Sequence, residues 1–292
     1  MSFIKKIFVG VLVAAGGISA CSPFSIINSL ANRKNISVYS GVSYGPHKRQ
    51  RLDVYRPNQY VSTIPTILFF YGGSWKRGSR KNYEFVGNAL AQQGFVVVVA
   101  DYRLYPEVKF PAFVDDGALA LAWTAKNIGK YGGSTYNIHL VGHSAGAHIA
   151  SLLVLDKTYV KNVGLKPNIL GRWVGLSGPY AFYPSKVQSI KNIFSDVSEE
   201  IARPITMVAA DVPDALLIHG ADDKAVLPKN SKILAQRLNK FGNRAFAVLY
   251  EKIGHGLIIA SLTFPFGSLA PTLQDITLFL KTGKFPPAKA YD

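Results

Sequence analysis

Apolar positions recur along this chain with two distinct periods. Continuous or alternating apolar runs at residues 36–39, 51–55, 66–71, 95–103, 138–142, 170–175, 215–219 and 246–250 predict strands. Helical spacing takes over at 83–93, 113–131, 143–155, 229–241 and 269–281, with Gly94 and Gly132 closing the first two, and a short helical stretch precedes them at 24–33. Eight strands alternating with helices predict an α/β fold, a mostly parallel eight-stranded sheet covered by helices on both faces. Residues 178–212 follow neither period and are expected to form a small cap between two strands. No repeat, low-complexity tract or Pro/Gly-rich linker interrupts 36–292, so one domain is expected there.

Composition narrows the class. Of the 292 residues 48% are hydrophobic and 17% charged, and 17 Phe, 15 Tyr and 3 Trp supply ample core material, which excludes disorder. Thirty-three Lys and Arg against 17 Asp and Glu give a net charge of +16. The excess is scattered: the densest cluster, Lys48-Arg49-Gln50-Arg51, is short. Nucleic acid is not an expected partner, since no basic stripe with interleaved aromatics appears, whereas scattered positive charge suits an anionic membrane face.

The N-terminus points to a membrane as well. Residues 1–20 carry Lys5 and Lys6, an apolar run at 7–15 and then small residues, the pattern of a secretory signal. That run is too short to cross a hydrocarbon core of about 30 Å. Ile18-Ser19-Ala20-Cys21 resembles a bacterial lipobox, and Cys21, the only cysteine, has no internal disulfide partner. An ordinary signal cut near Ala20 is the alternative. On the lipoprotein reading Cys21 is the lipidation site, 21–35 form an N-terminal tether or cap segment, and two or three acyl chains keep the protein on a membrane. Ser22, where an aspartate would resemble an inner-membrane retention signal, favours the outer membrane of a Gram-negative envelope, facing the periplasm or the cell surface.

Candidate chemistry centres on Gly142-His143-Ser144-Ala145-Gly146, which joins a predicted strand to a predicted helix. This is the form of a nucleophile elbow, where side chains two positions either side of the serine would collide with neighbouring backbone. A serine hydroxyl needs a base to take its proton. Of six histidines, His139 lies in the strand below, His143 is expected to turn away, His148 to pack one helical turn on, and His47 precedes the second strand. His219 ends a strand upstream of the candidate acids. His255, between Gly254 and Gly256 after the last strand, has the required order and a loop able to turn sharply. An acid must orient it, and Asp222 and Asp223 both end the preceding strand, while Glu251 reads as a solvated strand-end charge.

Upstream, the buried-strand run Ile67-Leu68-Phe69-Phe70 leads into Tyr71-Gly72-Gly73-Ser74-Trp75. Bare amides at Gly72 and Gly73, with that of Ala145, are candidates for an oxyanion hole. Trp75 would narrow the substrate pocket beside them. No HExxH spacing, clustered metal-ligand pattern or Gly-rich nucleotide loop appears, so no metal and no cofactor are expected. Nothing in the sequence marks an oligomeric state.

With these residues placed, the stretch from about 51 to 281 resembles the α/β-hydrolase superfamily, and within it the small carboxylesterases of the hormone-sensitive-lipase-like and isoprenylcysteine-methylesterase-like groups. The likeness rests on the Gly-Gly-Ser-Trp segment, Asp101-Tyr102-Arg103-Leu104 with Pro106-Glu107, Phe110-Pro111-Ala112, the elbow, residues 219–226 and His255. It implies an α/β-hydrolase fold and a serine esterase that acts on small carboxylic esters through an acyl-enzyme at Ser144. The His-Gly-x-x-Asp-x-x-Val pattern at 219–226 favours Asp223 as the acid. It also implies that Arg103 and Asp115 or Asp116 brace the scaffold. Two departures stand out: Tyr71 replaces the histidine usual before the glycines, and His143 replaces the aspartate of the lipase-like group. Methylesterase-like and formamidase-like relatives therefore both stay open, as do amide or peptide hydrolysis and a non-catalytic surface lipoprotein. The short cap and Trp75 together predict a preference for short acyl chains.

Overall fold

A computed structural model describes residues 23–58 and 63–287. The signal segment 1–20 and the lipidation candidate Cys21 lie outside the described residues. Strands β1 (Ile36–Ser43), β2 (Arg51–Pro57), β3 (Thr66–Phe70), β4 (Val96–Ala100), β5 (Ile138–His143), β6 (Leu170–Leu176), β7 (Ala215–Gly220) and β8 (Ala245–Tyr250) form one sheet in the order β1-β2-β4-β3-β5-β6-β7-β8. β1, β2 and β4 pair antiparallel, and every pairing from β4 through β3 to β8 is parallel. The eight-stranded, mostly parallel sheet is the one expected.

Burial explains the strand pattern. Every residue of β3, β4, β5 and β7 is buried, as in a sheet with both faces covered, and the β-branched run Val96-Val97-Val98-Val99 suits that environment. β1 and β8, at the edges, are partly exposed. The helices are α1 (Pro23–Leu30), α2 (Glu84–Gln92), α3 (Ala112–Asn127), α4 (Ala145–Leu155), α5 (Lys157–Asn162), α6 (Lys229–Lys240), α7 (His255–Ala260) and α8 (Thr272–Thr282). α4 is buried on all sides, whereas α6 buries the stripe Ser231, Leu234, Ala235 and Leu238 and leaves its lysines to solvent.

Three local expectations need correction. The strand expected at 95–103 stops at Ala100, because the Asp101 carboxylate accepts from Arg80 and Tyr71 and the chain turns away from the sheet. The helix expected at 113–131 is α-helical only to Asn127 and tightens into a 3₁₀ turn at Ile128–Tyr131, closed by Gly132 at φ 76°. Two short helices are additional: α5, capped by the Asp156 carboxylate on the Thr158 amide at 3.0 Å, and α7, which begins at His255 itself. His255 therefore stands at a helix start rather than in an open loop. Residues 178–212 contain three 3₁₀ turns linked by irregular chain, anchored by buried Tyr180, Ile193, Phe194 and Ala202.

The parallel register brings the carboxyl ends of the strands level. Phe70 pairs with Gly142, Gly142 with Gly175, and Leu176 with Ile218. The chain leaving these ends carries most of the candidate site residues.

Candidate active site

Ser144 sits between β5 and α4 with φ 54° and ψ −119°, a conformation a non-glycine residue avoids unless its surroundings impose it. Its amide donates to the Leu176 carbonyl at 2.8 Å, and its own carbonyl accepts from Ala147 and His148 at 3.0 and 3.2 Å. Backbone crowding sets the flanking residues. A Cβ on Gly142 would stand 2.4 Å from the Gly146 carbonyl oxygen, and one on Gly146 would stand 2.1 Å from that of Phe70. Ser144 retains only 8% of its accessible surface.

His255 and Asp223 converge on it from the ends of β8 and β7. His255 Nε2 lies 2.9 Å from Ser144 Oγ, and its Nδ1 lies 2.7 Å from Asp223 Oδ2. The two loops are locked together: the Asp222 amide donates to the Ile253 carbonyl at 3.0 Å, and a Cβ on Gly220 would meet that same oxygen at 2.2 Å. Asp223 is buried and Asp222 exposed, so only Asp223 faces the imidazole. Glu251 is exposed.

Burial alone would raise the Asp223 pKa. Hydrogen bonds from His219, His255 and the Val226 amide outweigh that and hold the carboxyl far below the usual carboxylate range. Its Oδ1 accepts from the Ala225 and Val226 amides, both at 2.9 Å. His219 contributes beneath it, with Nε2 3.3 Å from Asp223 Oδ2 and 2.8 Å from the Val226 carbonyl oxygen, and Nδ1 at the Ser231 hydroxyl. This supporting role of His219 was not foreseen; its place four residues before Asp223 was the available clue.

On the opposite side, the chain after β3 passes Ser144 closely: a Cβ on Gly72 would lie 2.9 Å from Ser144 Cβ. Gly73 has φ 140°, and a Cβ there would meet the Arg77 carbonyl oxygen at 2.0 Å. Ser74 and Trp75 continue the turn at φ 53° and 57°. The Gly72 and Gly73 amides donate to no protein acceptor among the described residues, and Ala145 is the first residue of α4, where no preceding turn can accept its amide. Gly72 and Ala145 thus set backbone donors beside the nucleophile, with that of Gly73 one residue further along the turn.

Tyr71, in place of the histidine usual before such glycines, is the hub of a buried network. Its hydroxyl donates to Asp101 Oδ1 and accepts from Arg49 Nη2, both at 2.8 Å, and its ring stacks on Tyr83 and Tyr102. Burial raises its pKa well above the usual tyrosine value, so the hydroxyl keeps its proton. Arg80 joins Asp101 to Asp53, and Arg49 also reaches the Gly78 carbonyl, just beneath the glycine turn. Arg103 pairs with buried Asp116, the bracing role expected of it. Arg49 had stood out only as part of a charge cluster.

Trp75 is 3% exposed and belongs to an aromatic cluster rather than an open pocket wall. Phe113, Phe182, Phe194 and His148 lie 5.0 to 6.0 Å from it, ring centre to ring centre, with Phe182 and Phe194 supplied by the 178–212 segment. His148 packs as expected and bonds the Ala202 carbonyl through Nε2 at 2.8 Å. His143 does not turn away from the site: its ring lies 5.0 Å from that of His255. Among the described residues, no three metal-ligating side chains come together, and no helix is long and apolar enough to cross a membrane.

Comparison with known proteins gives a consistent likeness. The family model BD-FAE matches residues 52–168. Esterase LipC of Mycobacterium tuberculosis is 30% identical over 264 residues, covering 82% of this chain and 64% of LipC. An isoprenylcysteine alpha-carbonyl methylesterase of Arabidopsis thaliana is 28% identical over 240 residues, covering 75% of this chain and 56% of the relative. The chain spans about half the length of such methylesterases, 51% in another Arabidopsis example. Among solved structures, an esterase of Pyrobaculum calidifontis superposes with a TM-score of 0.77 at 23% identity, over 98% of this chain and all of that one. Esterase B of Lactobacillus rhamnosis superposes with a TM-score of 0.76 at 17% identity, over 96% and 97% of the two chains. The chain has the α/β-hydrolase fold of these esterases.

Proposed function

We propose that the protein is a serine carboxylesterase that hydrolyses short-chain carboxylic esters through an acyl-enzyme on Ser144. The observation that carries this reading is the relay from Ser144 Oγ through His255 to Asp223, with spacings of 2.9 and 2.7 Å. Relatives named esterases and methylesterases support the ester as the substrate class.

The chemistry follows from the atoms. Asp223 can only accept, so it holds the proton of His255 on Nδ1 and leaves Nε2 with a lone pair toward Ser144. As Ser144 Oγ attacks the ester carbonyl, its proton passes to Nε2, and the imidazolium is stabilised by the ionised Asp223. Negative charge collects on the former carbonyl oxygen, where the amides of Gly72, Gly73 and Ala145 would donate to it. Collapse expels the alcohol, which takes the proton from Nε2. Water then enters, gives a proton to the same nitrogen and attacks the acyl-enzyme; collapse returns that proton to Ser144 Oγ as the acid departs.

The short-chain preference is supported by the aromatic cluster around Trp75. His148, one of its members, is one helical turn beyond Ser144, and the cluster is filled by its own rings. The N-terminal sequence supports a lipid anchor at Cys21 and a place in the cell envelope. Under that reading Cys21→Ser yields an uncleaved or soluble protein with unchanged esterase kinetics.

A fluorophosphonate label and a series of p-nitrophenyl esters test the chemistry. Ser144→Ala should abolish labelling and reduce turnover by on the order of 10⁴ or more. Labelling that survives in Ser144→Ala overturns the assignment, and a kcat/KM that climbs steadily from C4 to C12 overturns the short-chain preference.

A further inference from the structure

The steps above give no part to His143, although it is the imidazole beside both reacting groups. Its Nε2 lies 3.2 Å from the carbonyl oxygen of His255. A carbonyl only accepts, so Nε2 carries the proton and donates. The His255 ring lies 5.0 Å away, centre to centre, at 38°. The other edge of His143 faces the oxyanion loop, since a Cβ on Gly72 would stand 2.9 Å from Nδ1. One side chain therefore touches the base and the strand-end glycine at once.

His255 needs such a contact. It opens a six-residue helix between Gly254 and Gly256, and a Cβ on Gly256 would meet nothing within 4 Å. Buried Ile253 and Ile258 anchor the turn on either side, while its Gly256 face is open and leaves the His255 carbonyl to be fixed by a neighbour. Asp223 orients the ring through Nδ1, but a ring can pivot correctly and still stand out of reach if its backbone drifts.

His143 also suits the charge history of the reaction. The groups facing it are His255, Asp223 behind that ring, His219 further along and the Tyr83 ring at 6.4 Å. Burial, and then the neighbouring His255, lower its pKa to about 3. It stays uncharged at neutral pH, and no second cation opposes the imidazolium that forms 5.0 Å away.

We infer that His143 is a positioning residue, a strut that holds the His255 backbone in register with Ser144 by donating to the His255 carbonyl. The inference rests on the Ser144–His255 reading above. His143→Phe keeps a ring and loses the donor; His143→Gln keeps an N–H; His143→Asp introduces a carboxylate beside the imidazolium. With p-nitrophenyl butyrate, His143→Phe should lose about tenfold in kcat with KM within about twofold, as one displaced positioning contact would give. His143→Gln should restore most of that loss. His143→Asp should move the acidic limb of the kcat/KM profile to higher pH, because an added anion favours the protonated base. Parental kcat and pH profile in a folded His143→Phe, or equal losses in the Phe and Gln variants, would overturn the strut. His255→Ala is the control for the underlying reading: full activity there would remove both, whereas its loss alongside an unaffected His143→Phe removes the strut alone.

Discussion

On the Gly72 side of Ser144 the chain is held by a buried network of five side chains, in which Arg49, Tyr71, Asp101, Arg80 and Asp53 pass hydrogen bonds from one strand end to the next. On the His255 side the polar support is thinner: one carboxylate, one neighbouring imidazole, the Asp222–Ile253 backbone bond and a short helix that opens between Gly254 and Gly256. The oxyanion loop is stiffened by the same contacts that stabilise the sheet, so damage there should appear first as lost stability. The base is positioned by fewer groups, so damage there should appear mainly as lost rate in a folded protein.

The sharpest way to break this contrast is at the acid. Asp223→Asn removes the acceptor that fixes the His255 tautomer and should cost on the order of 10³ or more in kcat. Exposed Asp222→Asn should change kcat by less than about twofold. Steady-state kinetics on both variants decide the matter, and the reverse ranking would move the role to Asp222. The next largest effect belongs to the other flank. Asp101→Ala leaves the Tyr71 hydroxyl without its acceptor and Arg80 with Asp53 alone, and should cost about 2–3 kcal/mol in urea unfolding. Undiminished stability with lost activity in Asp101→Ala would mean that the network serves the site and not the scaffold.

Acid should destabilise the fold through its buried histidines. Burial lowers the pKa of His139 and His148 to about 4 and that of His143 to about 3, from 6.5. These rings are neutral when folded and charge more readily when unfolded, so their contribution is intact above about pH 6.5. It falls as pH drops below that value, and levels off only once the folded rings protonate near pH 4 and below. Each should cost on the order of 2 kcal/mol between pH 7 and pH 5, and His139→Gln should shrink the loss by one such share. Denaturant midpoints at the two pH values measure it; a loss unchanged in His139→Gln would discount that ring.

The same contrast separates what the sequence discloses from what it conceals. The elbow is legible because its constraint is local: Gly142 and Gly146 crowd backbone within a few residues and on the adjoining strand, so their spacing, set between a strand and a helix, identifies Ser144. The apolar runs of β3 and β4 likewise announce strands buried on both faces. Arg49 and Tyr71 are opaque because their partners are set by strand order. Asp101 reaches Tyr71 only because β4 lies beside β3, an adjacency no local pattern encodes. The direction of His143 is hidden for a related reason, since it depends on where His255 falls, 112 residues later. The 178–212 segment has no period to read; its buried Phe194 and Ala202 are placed by the surface beneath them.

Tyr71→Phe offers the finest test of the two flanks. It removes one hydroxyl and keeps the ring that stacks on Tyr83 and Tyr102. Arg49 would retain its bonds to the Tyr102 and Gly78 carbonyls, and Asp101 would retain Arg80. No charge is left alone, so the cost should be that of a single buried hydrogen bond, about 1 kcal/mol in unfolding free energy. Because the glycine turn is also gripped at Gly78, kcat should fall by no more than about threefold with KM unchanged. A loss of tenfold or more in kcat at parental stability would show that the Tyr71 hydroxyl aims the Gly72 and Gly73 amides directly, and the stiff flank would then be as finely tuned to the chemistry as the sparse one.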